Sequence, residues 1–542
     1  MIPARKISEY TVVLAISAAL TVLFFKDVIF SNNLLCFRDL GRFFYPPREY
    51  AFTLIKHGVM PLWNPFIYCG NPLLASHQPA VLYPVSLVYL IGDFARAFNN
   101  FIYIHFVLAS VFMYIFLRDR KIPGTASFLG AVTFAFSGYM LATVNVLTFF
   151  SSGIWLPLVL WAFFRAQAAS GRERRIYVVL TSVFLLCIFL AGEPMILYMT
   201  AFILLLFGGL KDIRLIFSVF AIFCFLGAFQ ILPVAELLLR SDRMKMVYEV
   251  AAKWSAAPHD FLNLIFPCVT DVENYFKGYW ERQSWLLDYY MGLFPLLMIP
   301  IAVFLAKEKR KPAILFMLLL SVVLALGKHT PVYHLLFKFL PGFNLFRYPV
   351  KYFYITAFSM AWLTAIGYGY YENNIKTDGA FVRRVRYLLY IALAAGLLLL
   401  AVDIFFVDIA KFIHQHFFSS LEKALKKDST SESSIMLGVF TVRRSLIFFV
   451  VFALALFYGA KKRFAAKALS LTVTAIVLCD LYSAAYDLNF SCDIARVKKP
   501  SPNIEFMMKD KSLFRSLSSP SNTFFLSNPN KETYKDVIEV GK

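Results

Sequence analysis

Thirteen apolar runs punctuate the chain, and they constrain its fold more than any other feature. They lie near 8–27, 101–118, 124–142, 146–164, 176–193, 195–210, 214–233, 285–305, 313–327, 352–371, 387–407, 445–460 and 468–486. Most approach the roughly 20 residues that a helix needs to cross a hydrocarbon core of about 30 Å. Lipid offers no partner to an exposed N–H or C=O, so the segments that cross it are helices or closed barrels, and runs of this length and apolarity are helices. Composition agrees: 16% of the 542 residues are charged, against about 25% in soluble domains. The expected fold is an all-α polytopic membrane protein with about 13 transmembrane helices.

The formal net charge is +21 and the pI near 9.5, values that would fit a nucleic-acid surface if the basic residues shared one face. Their placement excludes that partner. Lys and Arg gather in alternate connections, at 5–9, 118–121, 165–175, 211–214, 307–311, 372–386 and 461–467, where 23 bases outnumber seven acids. Such an excess marks the cytoplasmic side, so the N-terminus is expected inside and the C-terminus outside. The apolar stretch 79–91 would break the alternation if it crossed; it is short and carries Pro79 and Pro84, and is read as an interfacial or re-entrant helix. No small-x-small cleavage site precedes Lys26-Asp27, so the first run is expected to stay as an anchor. Seven cysteines show no CxxC pair, which argues against a metal cluster; Cys36 and Cys69 share the first outer loop and are the candidate disulfide.

The long polar segments then all fall outside: 28–100, 234–284, 328–351, 408–444 and the tail 487–542, with 1–486 forming the membrane region. Chemistry is expected there. In the first loop Asp39 and Arg42 share a face of a helical turn, with Arg38 beside them. A carboxylate among guanidinium groups is expected to stay ionised, and the set serves either as a general base next to an anion clamp or as a solvated ion pair. Tyr45, His77 and Gln78 are further candidate substrate contacts in that loop. Arg347 and Lys351 flank Pro349 at the outer start of a span, where a helix N-terminus favours anions; the alternative is that both snorkel to headgroups. Glu193, before Pro194, is either a catalytic acid at membrane depth or a helix-terminus residue. Glu236 is a substrate-contact candidate whose commoner fate is pairing with Arg240, four residues on. His414 and His416 fall in a polar loop and are read as solvated. No phosphate loop or Ser-His-Asp pattern stands in its expected context.

The run Asp39-Leu, Phe44-Tyr-Pro46, Trp63-Asn-Pro65, Gly70-Asn-Pro-Leu-Leu-Ala75 and Tyr83-Pro84 resembles the first outer loop of the YfhO-type bacterial membrane proteins. Ser137-Gly-Tyr-Met, Trp155-Leu-Pro-Leu158, Gln230-Ile-Leu-Pro233, Ser241-Asp-Arg243, Gly292-Leu-Phe-Pro-Leu296 and Leu345-Phe-Arg-Tyr-Pro-Val-Lys351 continue the likeness in order. That family is similar to membrane glycosyltransferases of the GT-C fold, which move a sugar from a polyprenyl-phosphate carrier to an acceptor on the outer side. The resemblance implies Asp39 as catalytic base and Arg347 as a phosphate ligand, with Lys351 standing where relatives commonly carry Arg. A second departure is Gly192-Glu193-Pro194, where relatives usually read Gly-His-Pro.

The expected function is therefore an inverting transfer from a polyprenyl-phosphate-linked sugar to an envelope glycan, polymer or lipid acceptor, outside the bacterial cytoplasmic membrane. No cofactor is implied, and a divalent cation is left open. The alternatives are a transporter or flippase of lipid-linked sugars, and a non-catalytic subunit of envelope polysaccharide assembly. Transport favours charge near the midplane, whereas here the span centres are nearly free of it.

Overall fold

The computed structural model describes residues 4–67, 70–267, 285–375, 379–413, 432–460, 466–486 and 488–498. Each of the thirteen apolar runs carries a helix. Among the described residues seven stretches, including Phe94–Asp119, Gly124–Thr143 and Leu147–Ala168, are long and apolar enough to cross a membrane, and shorter apolar helices include Pro194–Gly208, Phe294–Phe304 and Lys311–Ala325.

Local chemistry explains where these helices break. The run 124–142 stops at Ala135 and restarts as Gly138–Thr143, because Ser137 turns to an extended conformation and its hydroxyl accepts the Met140 N–H at 3.2 Å, a helix N-cap. The run 146–164 divides into Leu147–Gly153 and Leu156–Ala168, with Pro157 in the first turn of the second helix, where its missing N–H costs nothing. The run 285–305 departs most from expectation. Only Phe294–Phe304 is helical, and 285–293 is irregular backbone whose side chains are almost all buried. Non-helical backbone at this depth persists where protein surrounds it. The helix Phe353–Asn374 is buried on nearly every face, so the others pack around it.

The stretch 79–91 forms a 3₁₀ helix, Pro84–Leu90, with Tyr89 buried and Leu87 and Ile91 exposed. At about 2 Å per residue its seven residues reach about 14 Å, too short to cross. The helix Gly379–Ile413 runs well past the expected 387–407, and Glu432–Ala460 begins before the expected 445. At 1.5 Å per residue the first is about 52 Å long, beyond the hydrocarbon thickness. His414 and His416 lie outside the described residues, as does the tail beyond 498.

Polar contacts sort into the two faces that the charge pattern implies. On one, Glu9 meets Arg118 and Tyr114, and Asp119 meets Arg120 and Arg165. On the other, strand Asn33–Leu35 pairs antiparallel with strand Ser491–Asp493. A disulfide joins Cys36 to Cys492. The partner of Cys36, which the sequence left open with Cys69 as one candidate, is thus Cys492: the strand register sets Leu34 opposite Cys492 and so brings that thiol to Cys36, while Cys69 lies outside the described residues. The strand pairing sets residues 33–35 and 491–493 side by side on one face of the bundle.

Within the bundle Arg444 reaches Asp480 at 2.8 Å, and Asp480 also accepts the Tyr290 hydroxyl at 2.5 Å and the Leu293 N–H at 2.9 Å. The pair ties helices Glu432–Ala460 and Ala466–Ala485 to the irregular segment. Removing one partner of a buried pair strands the other charge. Asp480→Ala is therefore expected to cost about 3–5 kcal/mol, read as a lower unfolding midpoint in detergent.

Candidate functional site

The Asp39 loop begins where strand Asn33–Leu35 ends. Arg38 adopts φ +53, a left-handed conformation that costs a non-glycine residue roughly 1 kcal/mol or more. Asp39 then opens a π-helical turn, Leu40–Phe44, which runs into helix Tyr45–Lys56 with Pro46 and Pro47 in its first turn. The Asp39 side chain keeps an open side to solvent. Even so, desolvation by the surrounding protein raises its pKa above the usual carboxylate value, against the pull of Arg38 and Arg42. The two flanking guanidinium groups favour the ionised form and offset the desolvation only in part. A raised pKa makes the carboxylate a stronger base.

The second part of the site is the segment before helix Phe353–Asn374. Tyr348 sits at φ +74 and caps the 3₁₀ turn Pro349–Tyr352. It is held there by Ala251, whose carbonyl accepts the Tyr348 N–H at 2.9 Å, and by the Trp254 ring 4.3 Å away. The Arg347 guanidinium stacks on the Tyr348 ring at 4.6 Å. Lys351 turns inward. Its ammonium donates to both Glu193 oxygens, at 3.1 and 3.2 Å, and lies 5.4–5.9 Å from the Trp285, Phe149 and Tyr348 rings. The side chains of Lys351 and Glu193 are 11% and 13% exposed, so Lys351 is packed in protein and does not reach headgroups. Glu193 is aimed by Gly192, at φ +108, where an added Cβ would meet the Thr148 side chain at 2.7 Å and the His77 carbonyl at 3.1 Å. Only glycine makes that turn without strain.

Electrostatics join the two parts. Burial lowers the Lys351 pKa, Glu193 opposes the shift, and Arg243 and Arg347 deepen it. Arg243 is lowered by burial and by Arg347, with Glu193 and Tyr348 opposing. Tyr348 is raised by burial; Arg347 and Arg243 pull it down, and Asp39 pushes it up. Tyr348 thus feels Arg347, Arg243 and Asp39, while Lys351 feels Glu193, Arg243 and Arg347, and Arg243 is common to both. Arg243 escaped the sequence reading although it ends the Ser241-Asp-Arg243 run, because nothing local sets it apart from the exposed Arg240. Three cations, Arg243, Arg347 and Lys351, stand against two acids, Glu193 and Asp39. That surplus can hold an anion, with Asp39 as a base nearby.

Other candidates make local contacts. Glu236 pairs with Arg240 at 2.8 Å, both largely exposed, a bond worth a few tenths of a kcal/mol, about 0.3–0.5. The Tyr45 hydroxyl donates to Glu49 at 3.2 Å, and its ring packs on Phe94 and Phe98. His77 is buried against the Phe189 ring at 4.3 Å, and burial pushes its pKa down to about 4. The Gln78 side chain is exposed, while its carbonyl accepts from Arg48 Nη2 at 3.2 Å.

A family model described as bacterial membrane protein YfhO matches residues 65–535. No curated protein sequence matches significantly. Among solved structures, ArnT from Cupriavidus metallidurans bound to undecaprenyl phosphate is similar with a TM-score of 0.43 and 12% identity, over 88% of this chain and 75% of that one. The apo state of the same enzyme gives 0.43 and 10%, over 89% and 77%.

The Glu193–Lys351 pair yields a test. Glu193→Gln leaves an almost buried ammonium without its counter-charge and is expected to cost about 3 kcal/mol, seen as a lower unfolding midpoint. Adding Lys351→Met, which removes the stranded charge and keeps the volume, is expected to restore most of the loss. A Glu193→Gln protein as stable as the wild type would exclude the pair from the architecture of the site.

Proposed function

The chain belongs to the YfhO family of bacterial membrane proteins, and from that premise we propose that it is a membrane glycosyltransferase. In this reading it moves a sugar from a polyprenyl-phosphate carrier to an envelope glycan, polymer or lipid acceptor on the extracytoplasmic side. The neighbourhood of Tyr348 supports the proposal, because a carboxylate, Asp39, and three cations, Arg347, Lys351 and Arg243, all bear on that one side chain. General-base chemistry on a hydroxyl nucleophile needs the first, and departure of a phosphate needs the second.

The step is an inverting displacement. The acceptor oxygen bonds to the anomeric carbon and passes its proton to Asp39. The bond from that carbon to the phosphate oxygen breaks, and its electron pair leaves with the polyprenyl phosphate. Negative charge on the phosphate grows during this step, so Arg347, Lys351 and Arg243 stabilise the transition state more than the ground state. Arg38 and Arg42 hold the Asp39 carboxylate ionised against the desolvation that makes it basic. Glu193 keeps the buried Lys351 charged.

Asp39→Asn is expected to lower transfer by at least about 10²-fold while the protein accumulates in the membrane at wild-type levels. Mass spectrometry of envelope glycans from a deletion strain, restored with wild type or with Asp39→Asn, reads the outcome. Wild-type glycans from the mutant would refute the role of Asp39. For the active protein, the acidic limb of the rate profile should lie at higher pH than an unperturbed aspartate would give, since only deprotonated Asp39 accepts the proton. Arg42→Ala removes an influence that lowers the Asp39 pKa, so it should shift that limb to higher pH.

A further inference from the structure

The Asp39 turn is anchored from the far end of the chain. Strand Ser491–Asp493 pairs with Asn33–Leu35 in the register Asn33 to Asp493, Leu34 to Cys492 and Leu35 to Ser491. Around it, Ile494 N donates to the Asn32 carbonyl at 3.0 Å, Asn33 Nδ2 to Ser491 Oγ at 3.3 Å, and the Phe490 ring lies 5.0 Å from that of Phe37. The other edge of the first strand is held by Asn99, which accepts the Leu35 N–H at 3.1 Å and donates to the Asn33 carbonyl at 2.8 Å. Asn489 fastens the C-terminal segment to the bundle through the Leu141 carbonyl at 3.0 Å. A pair of three-residue strands is too short to be stable alone; here the Cys36–Cys492 disulfide locks it.

The lock transmits to Asp39 through very few atoms. Cys36 is three residues from Asp39, and the turn closes back on it so tightly that a Cβ added at Gly41 would lie 2.5 Å from the Cys36 carbonyl oxygen. Between them Arg38 occupies its left-handed conformation, which persists only where the surroundings over-determine it.

We propose that residues 488–498 are a positioning clamp for the Asp39 turn, with Cys492 as its fixing point. The inference rests on the transferase reading for its functional consequence and on the contacts above for its mechanics. Cys492 touches no substrate; it acts through Cys36 on the place of the Asp39 carboxylate.

The test uses the full-length protein in detergent or nanodiscs, with the Cys36→Ser/Cys492→Ser double variant and, separately, Phe490→Ala, which weakens the clamp and leaves the disulfide intact. Backbone hydrogen exchange in 36–44 should rise on the order of tenfold while helix Phe353–Asn374 keeps its protection. Turnover should fall roughly 10–100-fold, the size of loss that a small displacement of a catalytic group produces, with KM for the lipid donor within about twofold, because Arg347 and Lys351 stay in place. The acidic limb of the rate profile should move to lower pH as Asp39 regains water, a shift that a merely structural role would not produce. Unchanged exchange in 36–44 in both variants, or an unmoved acidic limb, overturns the clamp. Raised exchange in a protein whose wild type transfers no sugar would overturn the transferase reading and leave the clamp standing as the anchor of this loop.

Discussion

The rest of this structure depends on one constraint: in hydrocarbon a backbone hydrogen-bonds to itself or is wrapped by protein. Helices satisfy it without help, and they carry little chemistry. Among the described residues the helix gives way in several places, and four of them, 36–41, 192–193, 285–293 and 346–352, supply the candidate site and its surroundings. Trp285 comes from the long irregular segment and covers Lys351, Gly192 and Glu193 come from a turn, and Arg347 and Tyr348 come from a strained approach to a helix. Side chains on such segments can point across the bundle, where those on a regular helix face a neighbour or lipid. Phe353–Asn374, buried all round, supplies the rigid axis on which the 346–352 segment ends.

The helical framework was legible because its signal is local. Runs of about twenty apolar residues and the proline at 349 announce themselves within a few positions, whereas the breaks at Ser137 and before Pro157 interrupt runs that read as continuous. The run 285–305 misled because Trp, Leu, Tyr and Met are as apolar in a buried loop as in a span, and hydropathy cannot tell protein from lipid as the surrounding medium. The partner of Cys36 was beyond reach for a different reason. The two half-cystines are 456 residues apart, and they meet through a strand pairing in which three-residue strands leave no periodicity to read. Of the site, Asp39, Glu193, Arg347 and Lys351 were named from sequence, whereas their grouping, and the place of Arg243 among them, needed the fold.

Two departures from the family pattern become one fact. The resemblance implies histidine at the position of Glu193 and arginine at that of Lys351. In the fold the two side chains share a pair of hydrogen bonds inside an aromatic cage. A lysine ammonium is compact and its pKa falls readily on burial, so a carboxylate beside it preserves the charge that an arginine would keep unaided.

The antiparallel pair that joins residue 33 to residue 493 also sets an order of events during synthesis. At the usual 5–20 residues per second, the 456 residues between Cys36 and Cys492 take roughly 20–90 s to make. Through that interval the first outer loop stands without its second strand while the membrane helices assemble. The catalytic candidate at its tip therefore reaches its final shape only after the last helix is in place, so a ribosome that stops early releases a chain with a nearly full set of helices and an unfinished centre.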